Sequence, residues 1–168
     1  MIKLFTAKLE SHATKMPLIK WLAQGYYRSI CRKEALAAGI DATSRVLFVG
    51  AGAYPFSALY FATQCQANVT AVDIDADKVR KAHETFGPVL RCLCADGACV
   101  AVSDYDVIII AKQVEPKDAV LNHVFSRARP DTKILVRDGV VPEAINHRVT
   151  SACRHHFRLV RRTWLLTA

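Results

Sequence analysis

The chain has 168 residues, 52% of them hydrophobic and 23% charged, enough for one domain with a sizeable core and too few for two full ones. That apolar share excludes a largely disordered protein, and seven Gly with six Pro exclude collagen-like or low-complexity sequence. The formal net charge of +8 sits mainly at the two ends, which admits nucleic acid, an anionic membrane or an acidic substrate and selects none of them.

Residues 1–40 read as an N-terminal helical cap, with Trp21, Leu22, Tyr26, Ile30 and Leu36 on an approximate apolar face. No long apolar run followed by a small-residue cleavage site opens the chain, so a cytoplasmic protein with reduced cysteines is expected. Residues 41–168 read as the main body of one compact unit. Arg45–Gly50 is a short apolar run closed by glycine, the pattern of a strand buried on both faces. Pro55–Thr63 is the helix after it, with proline where a missing N–H costs little. Asn68–Asp73 is a second strand, and Asp75–Phe86 a charged helix stopped by Gly87-Pro88. Val89–Cys94, Asp106–Ala111 and Thr132–Arg137 continue the strands, with a helix over Pro116–Ser126. His147–Cys153 and Phe157–Leu166 have no helix between them and read as a closing antiparallel pair.

This alternation predicts an α/β fold: a mostly parallel twisted sheet, helices on both faces, and an antiparallel closing strand. No charge occurs from Val46 to Val72, but Gly50, Gly52, Pro55, Gln64, Gln66 and Asn68 make that stretch a poor lipid-facing helix, so no membrane partner is expected.

Gly50-Ala51-Gly52 after the first strand is the central chemical signal. Such a turn lets backbone approach a ligand, and the following helix offers free N–H groups; alone, it reads equally as a tight turn. The third glycine of a dinucleotide fingerprint is replaced by Pro55, and no Gly-Lys-Ser/Thr follows, which disfavours a pyrophosphate loop and a P-loop. Asp73 at the tip of the second strand is placed to accept hydrogen bonds from ribose hydroxyls, whereas Asp75 and Asp77 suit a helix N-terminus. Asp96 reads equally as a partner for an exocyclic adenine amine or as an Asx turn before Gly97.

Cys92, Cys94 and Cys99 lack the Cys-x-x-Cys or paired-His pattern of a metal site and read as buried reduced thiols, so no metal is expected. His155 and His156 would point to opposite faces of a strand. Arg148, Arg154, Arg158, Arg161 and Arg162, with Trp164 nearby, make nucleic acid a possible partner, set below a solvated edge strand kept apart by charge.

These segments resemble the S-adenosylmethionine-dependent methyltransferase fold, a Rossmann-like fold, from about Arg45 onward. Val46–Gly52 matches its first motif, Val72–Asp75 the second, Ala95–Gly97 the third and Asp106–Ala111 the fourth. The resemblance implies S-adenosyl-L-methionine as cofactor, with Gly50, Ala51 and Gly52 beside its methionine part, Asp73 on the ribose, Ile74 against the adenine and Asp96 near the adenine amine. Gly50-Ala-Gly-Ala-Tyr-Pro55-Phe-Ser57 is similar to the Gly-x-Gly-x-x-Pro-x-Ser/Thr loop of nicotianamine synthases. Ala111-Lys-Gln-Val-Glu115-Pro116-Lys117 and Tyr27–Glu34 resemble further segments of those enzymes, which transfer the aminocarboxypropyl group to an amine. Tyr27 matches a tyrosine near their reacting centre. Their larger helical domain ahead of this motif, with its proton-accepting glutamate, has no match in the stretch before Tyr27; Glu10 there has no motif around it, and that role is carried to no residue.

The expected activity is S-adenosylmethionine-dependent methyl transfer to a small-molecule acceptor. Aminocarboxypropyl transfer to an amine, RNA methylation and a non-catalytic binding module, working as a homo-oligomer or with a partner subunit, follow in that order. The sulfonium makes three carbons electrophilic, and the one held in line with the nucleophile reacts. An ammonium acceptor must first lose a proton, for which Tyr27 and Glu115 are the candidate groups. Tyr54 in the loop is placed to shield a sulfonium with its ring face, Ala111 lines the same crevice, and His123 reads as a helix-surface residue.

Overall fold

The computed structural model describes residues 17–138, 141, 143–155 and 160–168, the side chains of 17–24 and 144 excepted. Helix α1 (Pro17–Ala38) precedes strand β1 (Arg45–Val49), helix α2 (Phe56–Gln64), strand β2 (Asn68–Asp73) and helix α3 (Ala76–Phe86). Strands β3 (Arg91–Cys94) and β4 (Val107–Ile110), helix α4 (Lys117–Arg127) and strand β5 (Lys133–Arg137) follow. A single turn of helix, α5 (Glu143–Asn146), leads into β6 (Val149–Arg154) and β7 (Arg162–Thr167).

The seven strands form one sheet in the order β3-β2-β1-β4-β5-β7-β6. Strands β1 to β5 pair in parallel, and β7 runs antiparallel to both β5 and β6. Alternation along each strand sends side chains to two separate cores. Val46, Phe48, Ile109 and Leu135 pack under α1 and α2, while Leu47, Val49, Ile108, Ile110 and Val136 pack with Val120, Leu121 and Val124 of α4. Both faces being covered explains why the central strands are almost uninterrupted apolar runs.

Asp75 caps α3, its carboxylate accepting from the N–H groups of Asp77 and Lys78, so the sequence-expected helix start moves by one residue. Strand β3 begins at Arg91 rather than Val89, because Val89 and Leu90 donate to the carbonyl of Phe86 in the turn that ends α3. The tail strands are displaced too, and α5 was not expected: β6 runs 149–154 and β7 starts only at Arg162. Phe157, Arg158 and His156 lie outside the described residues, as do Glu10 and the side chains of Trp21 and Leu22. Of the expected apolar face of the cap, Ile30 is buried but Leu36 is 76% exposed and belongs to the outer face of α1. The uncharged stretch from Val46 to Val72 divides into β1, α2 and β2, and among the described residues no helix is long and apolar enough to cross a membrane.

Candidate active site

The order of the strands changes direction at β1, which has β2 on one side and β4 on the other; in open α/β sheets the crevice outside such a switch point is where ligands bind. Glycine is required at 50 on two grounds. Its φ is +82°, and a Cβ there would lie 2.5 Å from Val114 Cγ2 and 3.2 Å from Ala111 Cβ. Gly52 also has a positive φ, +71°. The turn is pinned by backbone donors: Gly50 and Ala51 N–H both donate to Val72 O, and Gly52 N–H donates to Asp73 Oδ2 at 2.8 Å. The other oxygen, Oδ1, accepts from Asp75 N–H at 3.1 Å. Asp73 is only 9% exposed, and its carboxylate thus ties the β1–α2 turn to the β2–α3 turn. Two of its roughly four lone-pair positions remain for a ligand.

Beside it lies a cleft of about 160 Å³. Val49, Val72, Val114 and Val120 give it apolar lining, and Asp73, Asp96 and Glu115 contribute carboxylates. Ile74 also lines it and is 68% exposed, an apolar side chain left in water next to a carboxylate. The 94–100 turn presses on β1 through Gly97, where a Cβ would meet Val49 Cγ1 at 2.5 Å. Asp96 Oδ1 accepts from Ala98 N–H at 2.8 Å, so the Asx turn exists and occupies one oxygen of that residue. Gln113 donates through Nε2 to Gly50 O at 3.0 Å, closing the other wall. Ala111 lies beneath the turn, its N–H bonded to Val49 O. Glu115 precedes a cis bond to Pro116, the N-cap of α4, and so lies just outside the helix.

Tyr27 and Tyr54 stand elsewhere. Neither lines the cleft; they flank the ring of Phe56 in a stack, with centroid separations of 6.0 Å to Tyr27 and 6.3 Å to Tyr54. This stack joins α1 to the glycine turn. Tyr26 meets Tyr27 edge-on, and its hydroxyl accepts from Val160 N–H at 2.7 Å, while burial pushes its phenol up to about 12.

A buried ion pair under this stack went unread in the sequence. Arg137, 3% exposed at the end of β5, donates through Nε to Glu34 Oε1 at 2.8 Å and through Nη2 to Oε2 at 2.6 Å. Nη1 donates to Ser57 Oγ at 2.8 Å, Thr163 Oγ1 donates to Glu34 Oε1 at 2.7 Å, and the guanidinium lies over the Phe48 ring. Burial works against the charge on Arg137, but the facing Glu34 carboxylate outweighs it and holds the guanidinium protonated. Cys31, also touching Arg137, has its thiol pushed up to about 12 by burial. The signal available was partial: Glu34 and Ser57 end two of the quoted motifs, whereas Arg137 reads as a solvated strand end.

Next to Arg137, Asp138 has φ +33° and accepts from Lys112 Nζ at 2.9 Å and from the N–H groups of Arg161 and Arg162. Burial raises its carboxyl, but these donors prevail and hold it below the usual range. Lys117 Nζ donates to the carbonyls of Lys112, Arg137 and Asp138, gathering the ends of β4 and β5.

Other candidates fall to structural duties. His123 Nε2 pairs with Val100 O at 2.7 Å, and His155 Nε2 with Thr163 Oγ1 at 3.0 Å. Among the described residues no three His, Cys, Asp or Glu side chains group as metal ligands. Cys94 and Cys99 are exposed, correcting the expectation of buried thiols: Cys94 ends the edge strand β3 and Cys99 lies in the turn after it. Arg148 and Arg162 lie over the rings of Phe125 and Trp164.

A family model described as alanine dehydrogenase/PNT, C-terminal domain, matches residues 20–136. L-histidine 2-aminobutanoyltransferase of Pseudomonas aeruginosa is 38% identical over 118 residues, covering 64% of this chain and 43% of that protein. The match thus spans less than half the length of that curated relative. A crystal structure of a mutant of the nicotianamine synthase MtNAS superposes with a TM-score of 0.81 at 19% identity, covering 99% of this chain and 70% of that one, and the same mutant has been crystallised with S-adenosylmethionine. A TehB-like SAM-dependent methyltransferase from Corynebacterium glutamicum superposes at 0.67 with 16% identity, covering 96% and 98% of the two chains. The fold is therefore the Rossmann-like methyltransferase fold, and the chain belongs to the alanine dehydrogenase/PNT, C-terminal domain family.

Proposed function

We propose that this chain binds S-adenosyl-L-methionine in the crevice outside β1 and β4 and transfers the aminocarboxypropyl group to an amine. The observation that carries the cofactor assignment is Asp73: a nearly buried carboxylate held by N–H groups of two successive turns, beside an apolar cleft with Ile74 exposed at it. These residues fit an adenosyl group. Asp73 retains acceptor capacity for ribose hydroxyls, Ile74 offers a flat apolar contact for the base, and Asp96 keeps one oxygen free of its Asx turn for an exocyclic amine. Gly50, Ala51 and Gly52 would offer a turn of little side-chain bulk to the methionine part, with Tyr54 beside that turn on the Phe56 ring and Ala111 beneath it. A dinucleotide fits less well, since the third glycine that would let a pyrophosphate approach is Pro55, buried at the start of α2.

When bound, the sulfonium supplies electrophilic carbons. The chain's part is to orient the ligand, to exclude water with the valine lining, and to take the proton from an ammonium acceptor at a Glu115 carboxylate oxygen, or at Tyr27 Oη when that phenol is ionised. The choice of aminocarboxypropyl over methyl transfer rests on the sequence relationship to an aminobutanoyltransferase, and L-histidine is accordingly the first acceptor to try. Methyl transfer to a small molecule is the second reading, favoured by the full-length superposition on the TehB-like methyltransferase. RNA methylation loses ground because Arg148 and Arg162 of the basic tail lie over rings of their own chain. A second copy or a partner subunit would complete the acceptor pocket. Incubation with S-adenosylmethionine and L-histidine, followed by product analysis, tests the reading. Methylthioadenosine is expected; S-adenosylhomocysteine would move the assignment to methyl transfer, and neither product with any amine tried would overturn it.

A further inference from the structure

The ligand cleft and the aromatic stack are built by different forces, and the residue that joins the stack to the sheet is Arg137. Its guanidinium uses all three nitrogens, two on Glu34 of α1 and one shared out to Ser57 of α2, while Thr163 of β7 fixes Glu34 from below. Glu34 is two turns along α1 from Tyr27, on the same face, and Ser57 directly follows Phe56, on which Tyr27 stacks. Arg137 thus grips both sides of the Tyr27–Phe56 contact.

We propose that Arg137 is a positioning residue that sets the placement of Tyr27 relative to the glycine turn, acting through Glu34 on one helix and Ser57 on the other. The acceptor half of the site is then adjusted from the end of the interior strand β5, while the nucleoside half, held by Asp73, is independent of it. This rests on the S-adenosylmethionine reading only for its consequence in turnover; the placement of Tyr27 is readable without it.

The test uses the full chain labelled with 3-fluorotyrosine, each resonance assigned by a Tyr→Phe variant. Ser57→Ala removes the hydroxyl that meets Arg137 Nη1 and Cys31 and leaves both Arg137–Glu34 bonds in place; Arg137→Lys keeps the charge and loses the paired donors. In both, the Tyr27 resonance is expected to move while that of Tyr105, on the far side of the sheet, stays in place. Affinity for S-adenosylmethionine should stay within about twofold while kcat with the accepted amine falls roughly tenfold or more, as for a small displacement of a reacting group. An unmoved Tyr27 resonance in folded Ser57→Ala overturns the proposal even if Arg137→Lys fails to fold. A loss of cofactor affinity as large as the loss of kcat overturns it as well, because a merely structural defect would spread to both halves. If the unmodified protein binds no S-adenosylmethionine, the functional reading fails, and the Tyr27 shift alone then decides whether Arg137 places that ring.

Discussion

The two sides of the crevice are held together by opposite means. On the β2 side, every tie around the glycine turn is short-range in the fold: backbone N–H groups of Gly50, Ala51, Gly52 and Asp75 meet Val72 O or the Asp73 carboxylate just across a parallel strand pair. On the β5 side, α1, α2, β5 and β7 converge on one ion pair, with partners 80 to 129 positions apart in sequence among Glu34, Ser57, Arg137 and Thr163. The β2 side takes all these N–H donors from main chain and leans on one side chain, Asp73. A site that depends on a buried charge fails as a unit when either partner is removed.

The largest effect expected from this contrast is at the ion pair. Arg137→Met strands the Glu34 carboxylate at 0% exposure and should cost about 3–5 kcal/mol in urea unfolding. The double variant Glu34→Leu with Arg137→Met should recover a large part of it. Equal losses in single and double variants would show that packing, not the uncompensated charge, is what matters there.

Gly50→Ala tests the other side. Positive φ and the clash with Val114 together should cost about 2–4 kcal/mol, with loss of ligand binding. A variant as stable as the parent would mean that the turn relaxes easily and that the main-chain side is the softer one.

The smallest effect concerns Asp138. Its folded carboxyl lies below its ordinary value of 3.8, so its contribution is fully present above that value and is lost as pH falls through the lower folded value. The stability difference between the parent and Asp138→Asn should therefore be constant near neutrality and shrink below about pH 4. A difference that does not change with pH would remove the charge from the account of that latch.

What could be read from the sequence follows the same division. Gly50, Gly52 and Asp73 announced themselves because a turn with positive φ and a strand-tip carboxylate leave local marks. The central strands were legible because burial on both faces removes polar residues from them. Val89 lies in the segment read as the third strand, but the hydrogen bonds closing α3 claim it for a turn. Arg137 was invisible for a different reason. A cation ending an apolar run is ordinarily solvated, and only the tertiary approach of Glu34, more than a hundred positions earlier, buries it. The resemblance puts Tyr27 near the reacting centre and the glycine loop puts Tyr54 beside the cofactor; that Phe56 stands between the two rings is not readable, since stacking leaves no periodic trace.

The central claim is that the Gly50–Gly52 turn and Asp73 together hold an adenosyl group. Titration calorimetry of the full chain and of Asp73→Ala with S-adenosylmethionine tests it most directly. The account predicts saturable binding to the parent, weakened about tenfold to a hundredfold in the variant, with the variant's fold confirmed by its unfolding curve. Absence of saturation in the folded parent, or equal affinity in the two proteins, would contradict it.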